Sequence, residues 1–286
     1  MGGYSSIFAF SLNFAFDFSV HQPLKICFNL SVGFSINQSL LLSVKESVSQ
    51  DGALFFLGAD HIFYRLQANV PIRISSHPIE HLIEIDGDIT TAECSTLSIE
   101  GHKLVFLTLP SSNITVCYDI STGKWHDRDS VNANFLSLGR YRARTALAAY
   151  DGVLLGDAFD GRIGMLNWQT YTEYGLPMRG LIHSANQHND RRRIFCSRFE
   201  LDVEAGVGLT TGQGSDPQIM LRRSIDGGRT YTQAEQWRGM GRQGDYTKRL
   251  RWLRQGQGRQ MMWQLVVTDP VPRTIIQAHA DITVGT

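Results

Sequence analysis

Three short patterns in this 286-residue sequence contain residue types that could do chemistry. His77-Pro-Ile-Glu80-His81 reads H-x-x-E-H. On a helix its histidines share a face that could hold zinc, with the glutamate placed to activate a bound water. Pro78 is compatible with a first helical turn, but only the short Pro78–Ile85 stretch favours helix, so a connector helix with exposed histidines is the stronger reading. Gly239-Met-Gly241-Arg-Gln-Gly244 fits G-x-G-x-x-G, yet a dinucleotide site needs a strand before it and a helix after it. Polar, arginine-rich sequence flanks it on both sides, which predicts a loop. Ser224-Ile-Asp226-Gly-Gly228-Arg-Thr-Tyr231 is an Asp box, a turn found in sialidases and other propeller proteins. Its glycines can take positive φ and its carboxylate can accept backbone N–H groups, so Ser224, Asp226, Gly228 and Tyr231 are expected to be structural. Glycoside cleavage would also need an arginine cluster and a nucleophile pair, and no spacing singles these out.

The richest feature is arginine. Arg191–Arg193, Arg222, Arg223, Arg229, Arg238, Arg242, Arg249, Arg251, Arg254 and Arg259 crowd the last third of the chain. If Arg251-Trp-Leu-Arg254 is extended, Arg251 and Leu253 share one face, and Trp252 and Arg254 the other. Arginine beside Trp and Tyr can track phosphates and stack on bases, and it equally anchors protein–protein interfaces. The interface reading is preferred, with Arg222, Arg223, Arg249, Arg251, Trp252 and Arg254 as candidate contacts.

Bulk numbers narrow the classes. Hydrophobic residues make up 42% and charged residues 19%, as in a soluble globular protein. The formal net charge of zero hides a gradient: residues 1–178 hold 11 Lys+Arg against 17 Asp+Glu, and residues 179–286 hold 16 against 10. An acidic front and a basic back suit oriented assembly or a nucleic-acid-facing surface. Cys27, Cys94, Cys117 and Cys196 are widely spaced and form no CxxC pair, which predicts reduced thiols and no metal site. The apolar N-terminus lacks a basic n-region and is interrupted by Asn13 and Asp17, so no export signal is expected. No apolar run is long enough to predict a membrane span.

The elements that must position these residues are strands. Phe8 to Val20 and Ile26 to Ile36 alternate apolar and polar residues strictly, the signature of a hairpin that must pack on something. Strand–turn–strand units then begin at Leu54, Leu104 and Val153. A repeat near fifty residues in an all-β chain is the mark of propeller blades, and three blades do not close a ring. Asp-Gly pairs at 51, 86, 151, 160 and 226, together with Ser121–Trp125, supply turns. After a polar connector, His183–Arg193, further strand candidates run to the C-terminus.

Taken in order, these segments resemble the packaged-DNA stabilisation proteins, the tail hubs of P22-like short-tailed phages. The resemblance rests on DGALFFLGADHIFYRL, VPIRISSHPIEHLI, IEGHKLVFLTLPSSNITVCYDISTGKW, RRRIFCSRFELDVEAGVG, IMLRRSIDGGRTYTQ, DYTKRLRWLRQG and MMWQLVVTDPVPRTIIQAHADI. It runs from about residue 50 to the C-terminus. Family members are longer upstream, and residues 1–49 do not resemble that upstream part.

The expectation is an all-β protein with incomplete propeller-like blades over residues 50–180 and a C-terminal β-sandwich-like domain over 181–286, preceded by a hairpin segment over 1–49. The resemblance implies a non-enzymatic virion protein with no cofactor, forming a homo-hexamer in the virion tail after assembly in the host cytoplasm. Its implied partners are a portal-side adaptor, a tail needle and tailspike proteins, with contact to packaged DNA also open. A propeller-type glycan hydrolase and a nucleic-acid-binding module built on the basic half are the alternatives.

Overall fold

Strand His102–Leu109 reads HKLVFLTL, an almost unbroken apolar run, because both of its faces are covered. Val105, Leu107 and Leu109 point into one core, while Leu104 and Phe106 point into another. A strand buried on both sides belongs in the middle of a stack of sheets, and this is where it lies. The computed structural model describes residues 44–285 apart from 69, 100, 168 and 191. The expected hairpin of residues 8–36 and Cys27 lie outside the described residues.

The first sheet contains β1 (Val44–Gln50), β2 (Ala53–Gly58), β3 (Phe63–Gln67) and β4 (Val70–Arg73), in that spatial order and antiparallel throughout. Helix α1 (His77–Asp86) follows, slightly longer than the Pro78–Ile85 expected, and buries Ile79 and Ile83. The second sheet repeats the meander with β5 (Glu93–Ile99), β6 (His102–Leu109), β7 (Ile114–Asp119) and β8 (Lys124–Asp127). The third has three strands, β9 (Ala143–Ala149), β10 (Gly152–Asp157) and β11 (Ile163–Leu166). A two-stranded ribbon of β12 (Thr172–Glu173) and β13 (Leu176–Pro177) ends this half. The three repeats seen in the sequence are the inner strands β2, β6 and β10 with their partners, each flanked by an outer strand less apolar than the run itself.

Phe55, Leu57 and Phe63 pack with α1 against Val105, Leu107 and Val116, joining the first sheet to the second. Trp125 of β8 closes this core, its ring 5.8 Å from Phe63 and its indole N–H donating to Ile74 O at 2.9 Å. On the other face of the second sheet, Leu104, Phe106 and Cys117 meet Ala146, Val153 and Leu166 of the third. The far face of the third sheet leaves Leu147, Ile163 and Met165 exposed. The turns mostly follow the Asp-Gly pairs, with one shift of register. In the third hairpin Tyr150 and Asp151 take the left-handed conformation (φ 53° and 56°), and Gly152 becomes the first residue of β10.

The remaining strands form a sandwich. One sheet has the order β14 (Gly180–His183), β20 (Gln260–Val267), β17 (Gln218–Ser224), β18 (Gln236–Gly239), with β15 (Gln187–His188) also on β20. The other is β19 (Leu250–Gly258), β16 (Ile194–Val203), β21 (Ile275–Val284). Phe199 of β16 stacks on Trp263 of β20, centroids 5.0 Å apart and planes 20° from parallel, and Leu201, Ile219, Leu221, Leu265 and Trp252 fill the space around them. Burying two tryptophans and a phenylalanine between two sheets contributes several kcal/mol before chain entropy is counted, on the order of 2–3 kcal/mol for each large side chain.

Candidate interface on the sandwich

Of the arginines singled out in the sequence, Arg238 lies on edge strand β18, Arg249, Arg251 and Arg254 on edge strand β19, and Arg222 and Arg223 on β17 beside β18. These edges do not pair as strands. They are joined by side chains: Trp252 Nε1 donates to Gln236 O at 2.9 Å, and Gln255 Nε2 to Gln236 Oε1 at 3.0 Å. Trp252 is 0% exposed and belongs to the core. Its place among the interface candidates is therefore corrected: a side chain packed between sheets has no surface left to offer a partner.

The expected strict alternation of Arg251–Arg254 is also corrected. β19 carries a bulge: Cys196 of β16 faces Gly256, but Arg198 faces Leu253, two positions on β16 against three on β19. Arg254 takes φ 57° and turns outward, away from Trp252, and Gln255 drops into the core. Gly256, at φ 83°, takes the left-handed conformation that glycine adopts without strain.

Guanidiniums cap the edge: Arg223 donates to Arg254 O at 3.3 Å, and Arg238 donates through Nε to Arg251 O at 2.8 Å. Arg222, on the outer face of its sheet, donates to Thr232 O at 2.8 Å. Covering an exposed row of carbonyls blunts an edge that would otherwise add a strand. It does so without neutralising charge. None of Arg222, Arg223, Arg238 and Arg254 has an ion pair among the described residues. In the propeller half, by contrast, Arg73 holds Glu80, Arg142 holds Asp157, Arg144 holds Glu93 and Arg162 holds Asp160.

On the outer face of β16, Glu200 lies nearly buried among three arginines. Arg251 Nε is 2.8 Å away, Arg198 3.3 Å and Arg249 3.9 Å. Arg198 also meets Asp281 at 2.8 Å. Arg249 and Arg251 thus share one carboxylate and keep excess positive charge. Sequence reasoning missed Glu200 as the centre of this cluster. The available signal was the break in alternation in IFCSRFELDV, which marks the bulge on β16 and sends Glu200 outward between Phe199 and Leu201.

The other motifs resolve into structure. In the Asp box, Ser224 Oγ donates to Asp226 Oδ1 at 2.6 Å and accepts from Gly228 N at 2.9 Å. Thr230 donates from its backbone N and its hydroxyl to the two Asp226 oxygens, at 3.0 and 2.6 Å. These hydrogen bonds, that of Ser224 first, hold the Asp226 carboxyl far below the ordinary range. Tyr231 bonds His183 Nδ1 at 2.8 Å, and burial followed by the charge of Asp226 raises its pKa, the opposite of an activated nucleophile.

In H-x-x-E-H, both Glu80 oxygens are occupied, by Arg73 Nε at 2.7 Å, Arg73 Nη2 at 2.5 Å and Ser75 Oγ at 2.7 Å, while His77 and His81 face solvent. The glutamate anchors the start of α1 to β4. Gly239–Gly244 leads to strand β19 and not to a helix, with Met240 in the core and Gly244 N bonded to Gly206 O. Burial pushes the Cys117 thiol up to about 12, far from a reactive thiolate. Among the described residues, no group of His, Cys, Asp and Glu is placed to hold a metal ion, and no helix is long and apolar enough to cross a membrane.

Comparison with known proteins speaks to the whole architecture. No curated protein matches the sequence. Among solved structures, a glycoside hydrolase family 43 arabinoxylan arabinofuranohydrolase from Bacillus subtilis, in complex with cellotetraose, aligns at 8% identity over 82% of this chain. The chain spans about half of that protein (53%), and a TM-score of 0.22 carries no argument. Two family models do match, in the order in which the sheets occur: the β-propeller of bacteriophage P22 Gp10 over residues 58–171 and the β-sandwich of the same protein over 181–283. With both halves matched in sequence and present in the fold as stacked meanders followed by a sandwich, the chain belongs to the P22-like packaged-DNA stabilisation family of phage structural proteins.

Proposed function

We propose that this chain is a non-enzymatic hub of the phage tail, forming a ring of six copies that joins the portal-side adaptor to the tail needle and tailspikes and helps to retain packaged DNA. In this reading it assembles in the host cytoplasm, and the propeller part (50–180) and the sandwich part (181–286) act as two domains presenting different surfaces to different neighbours.

The ordered pair of family matches, propeller then sandwich, carries the reading. The surfaces support it: a third sheet with one apolar face open and a sandwich edge lined with unneutralised arginines are features that assembly covers. The occupied carboxylates of Glu80 and Asp226 weigh against hydrolysis at those motifs.

Complementation tests this directly. Heads filled with DNA but lacking this protein are mixed with the purified chain, and nuclease-accessible DNA is followed with time. Slower release and a faster-sedimenting particle are expected. Release at the unsupplemented rate, with no chain bound to the particle, overturns the hub reading.

A further inference from the structure

We propose that the β18–β19 edge grips the acidic C-terminal end of helix α1 from a second copy of the chain, a head-to-tail contact that names one interface within the hub reading on which it rests. On the gripping side, Arg223 and Arg238 are pinned by the carbonyls of Arg254 and Arg251, and the Arg254 guanidinium projects freely with no hydrogen bond or ion pair among the described residues. Pinned guanidiniums keep their charge and unused N–H groups, and lose little side-chain entropy on meeting an anion. Trp237, 52% exposed, lies on the outer face of its sheet on one side of them, and Leu253, 61% exposed, on the outer face of the other sheet. The capped carbonyls exclude strand addition at these positions, so the partner is held by side chains.

The complementary feature lies on the acidic half of the same chain. Helix α1 has no basic residue in its last turn, so the negative end of its dipole is uncompensated from within the helix. Glu84 is exposed there, and among the described residues its one ion-pair partner is His81, at 3.9 Å. Ile85 beside it is 59% exposed, an apolar contact for Trp237 or Leu253. Carboxylate, helix C-terminus and isoleucine thus present the counterpart of arginine, tryptophan and leucine. The charge gradient along the chain favours the same pairing, because a basic back meeting an acidic front is a heterologous contact that can propagate around a ring.

Sedimentation velocity of the full chain over a range of concentrations tests the inference, using wild type, Arg254→Glu, Glu84→Arg and the double exchange. Neither side chain supports the fold, so all four should remain folded by circular dichroism. Each single exchange should weaken self-association about tenfold or more, and the double exchange should restore it. Raising the ionic strength to about 1 M, where charges are screened beyond about 3 Å, should weaken wild type and leave Arg254→Glu little changed. Wild-type assembly that both single exchanges leave intact overturns this contact but not the hub, which DNA retention by filled heads reports separately. A wild type that stays monomeric at every concentration overturns the contact as well. So does an Arg254→Glu chain that assembles normally but has lost affinity for a duplex DNA oligomer, because the edge would then be a phosphate-binding surface.

Discussion

Arg142 Nε donates to Asp157 Oδ2 at 2.6 Å inside the propeller half, and the carboxylate is 0% exposed. The pair ties the segment before β9 to the end of β10. Its surroundings complete it: Arg162 reaches the same oxygen at 3.2 Å, and the Arg142 guanidinium lies over the rings of Phe159 and Tyr174. The network thus fixes the end of the third sheet, which has three strands among the described residues.

Asp157→Ala should therefore cost about 3 kcal/mol in urea unfolding, because it leaves the buried Arg142 with only the half-exposed Asp160, 3.3 Å away, as counter-ion. A loss below about 1 kcal/mol would show that Asp160 and water suffice to compensate the guanidinium.

Trp252→Ala should destabilise the sandwich by about 3–5 kcal/mol, as truncation of a core aromatic does. Arg249→Ala, exposed and 3.9 Å from Glu200, should change stability by less than about 1 kcal/mol. Differential scanning calorimetry of the two variants separates core from surface in the RLRWLR stretch. Equal effects would contradict the placement of Trp252.

Two acids should give opposite pH profiles. Asp226 has its pKa lowered from 3.8 by the Ser224 and Thr230 hydrogen bonds, so its contribution is full above that value and is lost as pH falls below it. The stability gap between wild type and Asp226→Asn should close on acidification.

Glu173 has its pKa raised above 4.5, by burial first, with the charges of Asp157 and Asp129 adding to it against the Ser130 hydrogen bond and Arg142. Its favourable state is the neutral one: full below 4.5, lost as pH rises through the raised value. Glu173→Gln should match wild type in acid and exceed it at neutral pH. A variant less stable than wild type at neutral pH would show that the charged form is the one the fold stabilises.

His81→Ala should leave unfolding within about 0.5 kcal/mol of wild type, and added zinc should not raise the melting temperature of either chain. A zinc-dependent rise in wild type alone would restore the metal reading of H-x-x-E-H.

Local pattern by itself determined a good deal of this protein. Period-two alternation and Asp-Gly turns located β2, β6 and β10 with their partners and the sandwich strands β16, β17, β19, β20 and β21, because side-chain direction in a strand and backbone conformation in a tight turn are set by near neighbours, whereas β15 lies inside the stretch read as a polar connector. Alternation says which residues share a face; it does not say which face is covered. Only the tertiary structure placed Val105 and Phe106 in separate cores, moved the third turn to Tyr150 and Asp151, covered the face on which Trp252 lies, and used a bulge to turn Arg254 outward. The arginines show the same division. Their number was plain in the sequence, but a guanidinium neutralised by a carboxylate and one that caps a carbonyl and keeps its charge differ only in what lies across the gap, and residues distant in sequence fill that gap.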